Sequence, residues 1–401
     1  MGKILEKVIV ARITFDCGKY SLVPFVQFGG RSHSSCIDAG ITLAHNIEAA
    51  QKKGLKASAL MLDVKGFFDN VNHTRMVLVV HKLGFPPQVT AWVSSFLSDR
   101  KAFIKLDGDT SNIHPLDIGV PQGSPVSPVL SIVYASEVLE KACARLTLSS
   151  ASIPTSPKGY IDDIMLSAFS PSAKENATLL SQATEALITD LSTIGMSIDT
   201  DKSDLIHFSQ SSNNGDAQAH VLIGNHRVIP RKVVRWLGIY FDSRLTFKEH
   251  VNIMANRGRS VTNGLRILGN TVRGLSQANM QTLYRTCVIP ILAYASPIWF
   301  RPDRRQKSYV QKLQVCQNHA LRLICGAFKT TPSQALEVLS YVPPIHVTLQ
   351  KFSERYALRL ARLPDASPVI CRLPLQWQKG RSSPPLPPPF KPPPSLTNTI
   401  P

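Results

Sequence analysis

The sequence predicts an α+β fold, a sheet carrying helices on one face. Three observations lead there. "KASALMLDV" is an apolar run of strand length that ends on an acid. "GYIDDIMLSAF" reads as a strand pair folded at two adjacent acids, Asp162 and Asp163. Between and after them the order is helices, helix, strand pair, helix, strand, which is neither all-helical nor a repeating β-α-β pattern.

The elements follow in order. Ile4, Leu5, Val8, Ile9 and Ile13 recur at helical spacing and open the chain with an amphipathic helix. A glycine-rich turn, "QFGGRSHSS", leads to a second helix from about Ser35 to Lys53. After the strand "KASALMLDV" come helices near 72–83 and 87–98, separated by "GFPP". "KAFIKLDGDTSNIHPLDIGV" reads as a hairpin with "DGD" at its turn. "SPVLSIVYASEVLEKACARL" reads as one long apolar helix. The strand pair, a helix near 172–194 and the strand "MSIDTDKSDLIHF" complete the sheet, and "HVLIGNHRVI" and "VVRWLGIYFDSRLTF" add further strands. Beyond 246 the chain turns helical and basic, with Lys248, Arg257, Arg259, Arg266, Arg273 and Arg285. After about 378 the run "GRSSPPLPPPFKPPPSLTNTIP" has a composition that cannot pack a core and is expected to be extended or disordered.

Length and charge bound the function. The 401 residues suggest two or three compact units, and a net charge of +18 favours polyanions, nucleic acid first. No apolar run approaches the roughly 20 residues of a membrane span, and the N-terminus lacks a secretory core and cleavage site. Seven cysteines lie scattered without a C-x-x-C pair, which fits a reducing, intracellular compartment.

Two like charges side by side at a strand pair repel, and burial makes this worse. A divalent cation would remove the conflict; a solvated hairpin tip is the ordinary alternative. A third acid, Asp63, ends the strand "KASALMLDV". Neighbouring strands of one sheet would bring it to Asp162 and Asp163, although a lone aspartate there is also a common strand-end cap. Three carboxylates on one sheet edge suit two hard cations about 3.5–4 Å apart.

"LDVKGFFDNV", "GVPQGSPVSPVL", "GYIDDIML", "MSIDTDKSDLIHF" and "RWLGIYFDSRLTFKEHV" stand in an order that resembles the reverse transcriptases of non-LTR (LINE-type) retrotransposons. "QFGGRSHSSCIDAGITLAH" is similar to a fingers motif of that group, and "RILGNTVRGLSQANMQTLYRTCVIPILAYASPIWF" to its thumb. The resemblance runs from about residue 1 to 365. It implies a right-hand polymerase: partial fingers over 1–55, a ferredoxin-like palm over 56–245 with finger-side segments near 80–118, a helical thumb and connection over 246–377, and the proline-rich tail over 378–401.

The resemblance also implies roles. Asp63, Asp162 and Asp163 match the ligands of two Mg²⁺ ions, with Mn²⁺ as a substitute. Phe68 stands where the family's steric gate excludes a ribose 2′-hydroxyl; core packing is the plain alternative. RNA-copying RNA polymerases usually carry an acid at that spacing, and here the acid, Asp69, comes one residue later. Gln122 and Gly123 match the loop that touches the incoming nucleotide, with Ser124 and Pro125 opening a helix. Lys202 matches the lysine that protonates the leaving pyrophosphate or contacts the triphosphate, or else is a surface lysine. Trp236, Leu237 and Gly238 match the primer grip, and Trp236 equally suits a core. The implied partners are an RNA template, a DNA primer and dNTPs, in the nucleus or cytoplasm, with no membrane.

Departures from the family pattern are part of the expectation. The chain starts inside the fingers, lacks the cysteine–histidine knuckle, and has a proline-rich tail where some relatives carry a ribonuclease H domain. It therefore looks like a fragment or decayed copy of a longer polyprotein. A binding remnant without turnover is the alternative function, and an RNA-dependent RNA polymerase a further one.

Overall fold

A computed structural model describes residues 2–147, 157–209, 218–269, 274–301, 306–363 and 369–370. The proline-rich tail and Arg273 lie outside the described residues. The chain divides into two compact units, Met1–Arg231 together with Pro364–Pro401, and Lys232–Leu363. No helix among the described residues is long and apolar enough to cross a membrane.

The first unit opens with α1 (Gly2–Lys19) and α2 (Cys36–Lys52). Ser35 caps α2: its hydroxyl accepts the Asp38 N–H, and its own N–H donates to the Asp38 carboxylate. Strand β1 (Lys56–Lys65) leads to α3 (His73–Lys82) and α4 (Pro87–Leu97). The 101–115 region is less regular than one hairpin. It forms two small pairs, β2 (Lys101–Ala102) with β5 (His114–Pro115) around β3 (Lys105–Leu106) with β4 (Asp109–Thr110).

The apolar run after it is two helices, not one: α5 (Ser127–Tyr134) and α6 (Ser136–Thr147). The Ser136 hydroxyl donates back to the Val133 carbonyl at 2.7 Å, a side-chain bond that competes with the helical ladder where the two segments meet. Tyr134 fixes the junction by donating to the Ile194 carbonyl at 2.8 Å. Then come β6 (Lys158–Tyr160), β7 (Asp163–Ser170), α7 (Ala173–Ser192), β8 (Ser197–Phe208), β9 (Val221–Ile223) and β10 (His226–Val228).

The main sheet has the order β6-β7-β1-β8, with every pairing antiparallel. It is buried on both faces rather than one. Leu60, Leu62 and Val64 join a core with Val129, Leu130, Val133, Leu180 and Leu187 of α5 and α7. Ala57, Ala59 and Met61 point to the opposite face and are buried too. A continuous apolar run such as "ALML" marks this two-sided burial, where strict alternation marks a one-sided sheet.

A buried polar clamp ties α7 to the sheet. Asn176 donates to the Lys56 carbonyl and to Ser58 Oγ, both at 3.0 Å. Ser58 Oγ in turn donates to His207 Nδ1 at 2.7 Å, and His207 Nε2–H donates to the Ala219 carbonyl at 2.7 Å.

The second unit begins with a hairpin of β11 (Val233–Trp236) and β12 (Ile239–Asp242). Helices follow: α8 (Lys248–Leu265), α9 (Gln277–Leu283), α10 (Ile289–Leu292), α11 (Ser296–Trp299), α12 (Lys307–Cys325), α13 (Ser333–Ser340) and α14 (Ile345–Arg362). Three side chains spaced four apart, Gln277, Gln281 and Arg285, donate to the successive carbonyls of Leu339, Ser340 and Tyr341. They satisfy the C-terminal end of α13, whose last carbonyls have no helical partner.

Candidate active site

The sheet aligns three acids in a row. Asp63 near the end of β1 stands directly opposite Asp163 of β7 on one side and Asp199 of β8 on the other. Opposed residues of paired strands share a face, so this row concentrates like charge. Asp162 sits beside it in the two-residue turn between β6 and β7. Its carbonyl accepts the Val64 N–H at 3.4 Å, which ties the turn to β1. Burial pushes the Asp162 carboxyl above the usual carboxylate range, and the charge of Asp63 adds to the effect.

Lys202 reaches the row through a bulge. Between the pairs Met61–Asp204 and Asp63–Asp199, β1 has the single residue Leu62, whereas β8 has Thr200, Asp201, Lys202 and Ser203. The extra residues carry Lys202 out of the ladder and re-aim its side chain. Its ammonium lies 2.9 Å from Asp63 Oδ2 and 3.3 Å from Asp199 Oδ2, and both carboxylates hold its pKa above the ordinary lysine value. Among the described residues, no three His, Cys, Asp or Glu side chains are placed to hold a metal ion. The acids are gathered at one strand end, and the cation on Asp63 is the ammonium.

The loop bearing Phe68 and the loop bearing Gln122 are joined. Val120 N–H donates to the Phe68 carbonyl and Gly119 N–H to the Val71 carbonyl, each at 2.8 Å. His73 Nε2–H donates to the Gly119 carbonyl at 2.7 Å. A Cβ on Gly119 would stand 3.0 Å from the Asp69 carbonyl oxygen, so this contact needs glycine. Phe68 is half-buried and packs edge-on to Phe67, with ring centroids 5.8 Å apart. Gln122 and Gly123 are exposed. Gly123 is required by its φ of +91°, not by a close neighbour, since a Cβ there would meet nothing within 4 Å. The helix expected to open at Ser124 and Pro125 begins only at Ser127, where α5 starts. Ser124 instead donates to the Glu6 carboxylate of α1 at 2.6 Å.

In the second unit, Trp236, Leu237 and Gly238 form the end of the β11–β12 hairpin. Leu237 and Gly238 have φ of +50° and +77°, the left-handed pair that a tight two-residue turn requires. Tyr294 donates to the Leu237 carbonyl at 2.7 Å, and a Cβ on Gly238 would stand 3.2 Å from the Tyr294 hydroxyl. Trp236 is buried.

A family model described as "Reverse transcriptase (RNA-dependent DNA polymerase)" matches residues 1–241, more than half of the chain. The chain belongs to the reverse transcriptase family. The curated relatives it matches are polymerases of mobile elements. The RNA-directed DNA polymerase from mobile element jockey of Drosophila melanogaster is 26% identical over 368 residues, 91% of this chain and 39% of that protein. The probable RNA-directed DNA polymerase from transposon X-element of the same fly is 24% identical over 362 residues, 90% of this chain and 38% of that protein. The chain thus spans about two fifths of the length of the curated relatives it matches. The resemblance to non-LTR retrotransposon enzymes is borne out by these relatives. Among solved structures, apo telomerase from Candida Tropicalis matches 94% of this chain and 61% of that one, with a TM-score of 0.46 and 12% identity.

Two features of this site escape a sequence-level reading. Asp199 looks like one acid among several in "DTDKSD", and only the strand register places it opposite Asp63. Ile161 has a φ of +61°, which no β-branched residue signals in advance. The run of six polar residues that interrupts the strand pattern after Ile198 was the available sign of the bulge.

Proposed function

We propose that the chain acts as an RNA-directed DNA polymerase, extending a DNA primer with dNTPs along an RNA template. The observation that carries the reading is the acid row, Asp63 beside Asp163 with Asp162 in the adjoining turn, in a member of this family. In this reading residues 56–245 act as palm, 1–55 as partial fingers and 246–377 as thumb and connection. Asp63, Asp162 and Asp163 would hold two Mg²⁺ ions, for which Mn²⁺ can substitute. All-oxygen donors suit these hard cations, and burial, with the charge of Asp63 added to it, raises the Asp162 pKa, a cost that a bound cation would offset. Such ions lower the pKa of an attacking hydroxyl and neutralise charge on the leaving group.

The remaining roles fall to the chain's own side chains. Phe68 blocks the sugar 2′ position. Gln122 and Gly123 contact the incoming nucleotide from a loop held by Phe68, Val71 and His73. Lys202, released from Asp63, carries a proton to the pyrophosphate. Trp236, Leu237 and Gly238 hold the primer end.

Primer extension on an RNA template tests the proposal. The parent chain should extend with dNTPs in preference to rNTPs, and Asp162→Asn should cut the rate by at least about a hundredfold, the usual scale for losing a group that stabilises developing charge. Equal extension by both proteins would overturn the assignment. The surplus of positive charge also supports a second reading, nucleic-acid binding without turnover. That reading predicts RNA binding with no extension by either protein.

A further inference from the structure

The turn that carries Asp162 is strained, and something must hold it. Ile161 is β-branched and sits at φ +61°, a conformation that persists only where the surroundings impose it. The surroundings are the residues of the glycine-rich segment. Phe28 N–H donates to the Gly159 carbonyl at 2.8 Å, and Gly159 N–H donates to the Val26 carbonyl at 2.9 Å. Both backbone groups of Gly159, on the edge strand β6, are therefore used by residues 26 and 28. Gln27 is fully buried between them, and its amide lies 3.5 Å from the Ile161 carbonyl. Gly29 then presses its backbone against the turn. A Cβ there would stand 2.6 Å from Ile161 N, 2.7 Å from Ile161 Cγ1 and 3.0 Å from the Tyr160 carbonyl carbon. On its other side Gly30, at φ +67°, lies against Ile132 of α5, where a Cβ would come within 2.9 Å of Cδ1.

We propose that residues 26–29 form a latch that positions the turn of Asp162 and Asp163, with Gly29 setting the turn's depth through direct contact with Ile161. Gly29 acts through Ile161 and touches no reacting atom, so it is a positioning residue. The latch explains why two glycines stand together. One lets the turn come close, and the other takes the left-handed conformation that carries the chain past α5. The proposal rests on the polymerase reading only where it concerns metal affinity and turnover.

The test compares the full chain with Gly29→Ala and Gly30→Ala. The primary readout is amide hydrogen exchange of the peptide spanning 160–164, measured without metal. Gly29→Ala should speed exchange there by about tenfold or more, while Gly30→Ala, which meets α5 instead, leaves it at the parent level even if it lowers the melting temperature. Mn²⁺ affinity, read by electron paramagnetic resonance, should fall about tenfold or more in Gly29→Ala, as when a partner that orients a ligand is lost. In primer extension, kcat should fall more than the dNTP KM rises. Adding Ile161→Gly to Gly29→Ala should recover only part of the Mn²⁺ affinity, because it removes Cγ1 but leaves Ile161 N and the Tyr160 carbonyl carbon against the new Cβ. If Gly29→Ala does not fold, Ile161→Ala replaces it. That change strips the facing surface without adding an atom, and it should speed the same exchange. Unchanged exchange in the 160–164 peptide, or an equal rise in Gly30→Ala, overturns the latch. A parent chain that binds no Mn²⁺ and extends no primer overturns the polymerase reading alone, since the exchange comparison still decides the latch.

Discussion

Lys202 shows how a single residue balances the site. Its side chain is 66% exposed, so its ion pairs with Asp63 and Asp199 lie in water's reach and are individually weak. A divalent cation arriving at Asp63 therefore meets little resistance. Lys202→Met should raise the Mn²⁺ affinity of the chain, though by no more than about fivefold given the weakness of exposed pairs. A Mn²⁺ titration followed by electron paramagnetic resonance reads this directly. A fall in affinity would mean that Lys202 does not compete for Asp63. At this scale the sequence was informative about residue type and silent about partners. Asp63, Asp162 and Asp163 could be singled out because acids at apolar strand ends are conspicuous. Asp199 could not, because its importance comes from register across a bulge. Nor could Gly29, whose need for a bare backbone arises from Ile161, more than a hundred residues away in the chain.

Elements were legible where one periodicity ran unbroken. The start of α2 follows from the Ser35 capping box, and β1 follows from its apolar run. The apolar stretch from Ser127 onward was misleading because α5 and α6 carry continuous helical periodicity across their junction. The break comes from Ser136 and from the distant carbonyl of Ile194. The clamp between α7 and the sheet gives a pH prediction. Burial holds the His207 pKa below the ordinary histidine value, and His250 in the second unit is depressed in the same way. The unfolded chain then binds the proton more readily than the folded one. Stability is fully present above about pH 6.5, and it is lost as the pH falls below that value toward the lower folded pKa. Protonation would also remove the acceptor at His207 Nδ1 that Ser58 uses. Thermal unfolding should show the melting temperature falling from pH 7.5 to pH 5. His207→Ala should lower it at pH 7.5 and flatten the slope, leaving the share that belongs to His250. A slope unchanged by His207→Ala would show that His207 binds its proton equally well in the folded and unfolded chains.

For the whole molecule, charge is the broadest guide. A surplus of +18 on 401 residues favours polyanionic partners whatever the fold. RNA binding should therefore weaken steeply with salt, by about a thousandfold between roughly 50 and 200 mM if some six phosphates are contacted. Fluorescence anisotropy with labelled RNA measures this slope, and a flat response would exclude backbone tracking. The division at Lys232 was not legible. The hairpin of Trp236 reads as one more strand pair in sequence, and nothing local says which unit a strand pair will join.

The strand order has a consequence for how the protein is made. β1 lies at the centre of its sheet, yet both neighbours are encoded far downstream, β7 starting at Asp163 and β8 ending at Phe208. A ribosome adding about 5–20 residues per second takes several seconds to produce the first of them, about a hundred residues after β1. During that interval the nascent chain holds "ALML" with neither edge paired. Newly made protein is thus most vulnerable to self-association, and most in need of a chaperone, while its translation is between α3 and β7.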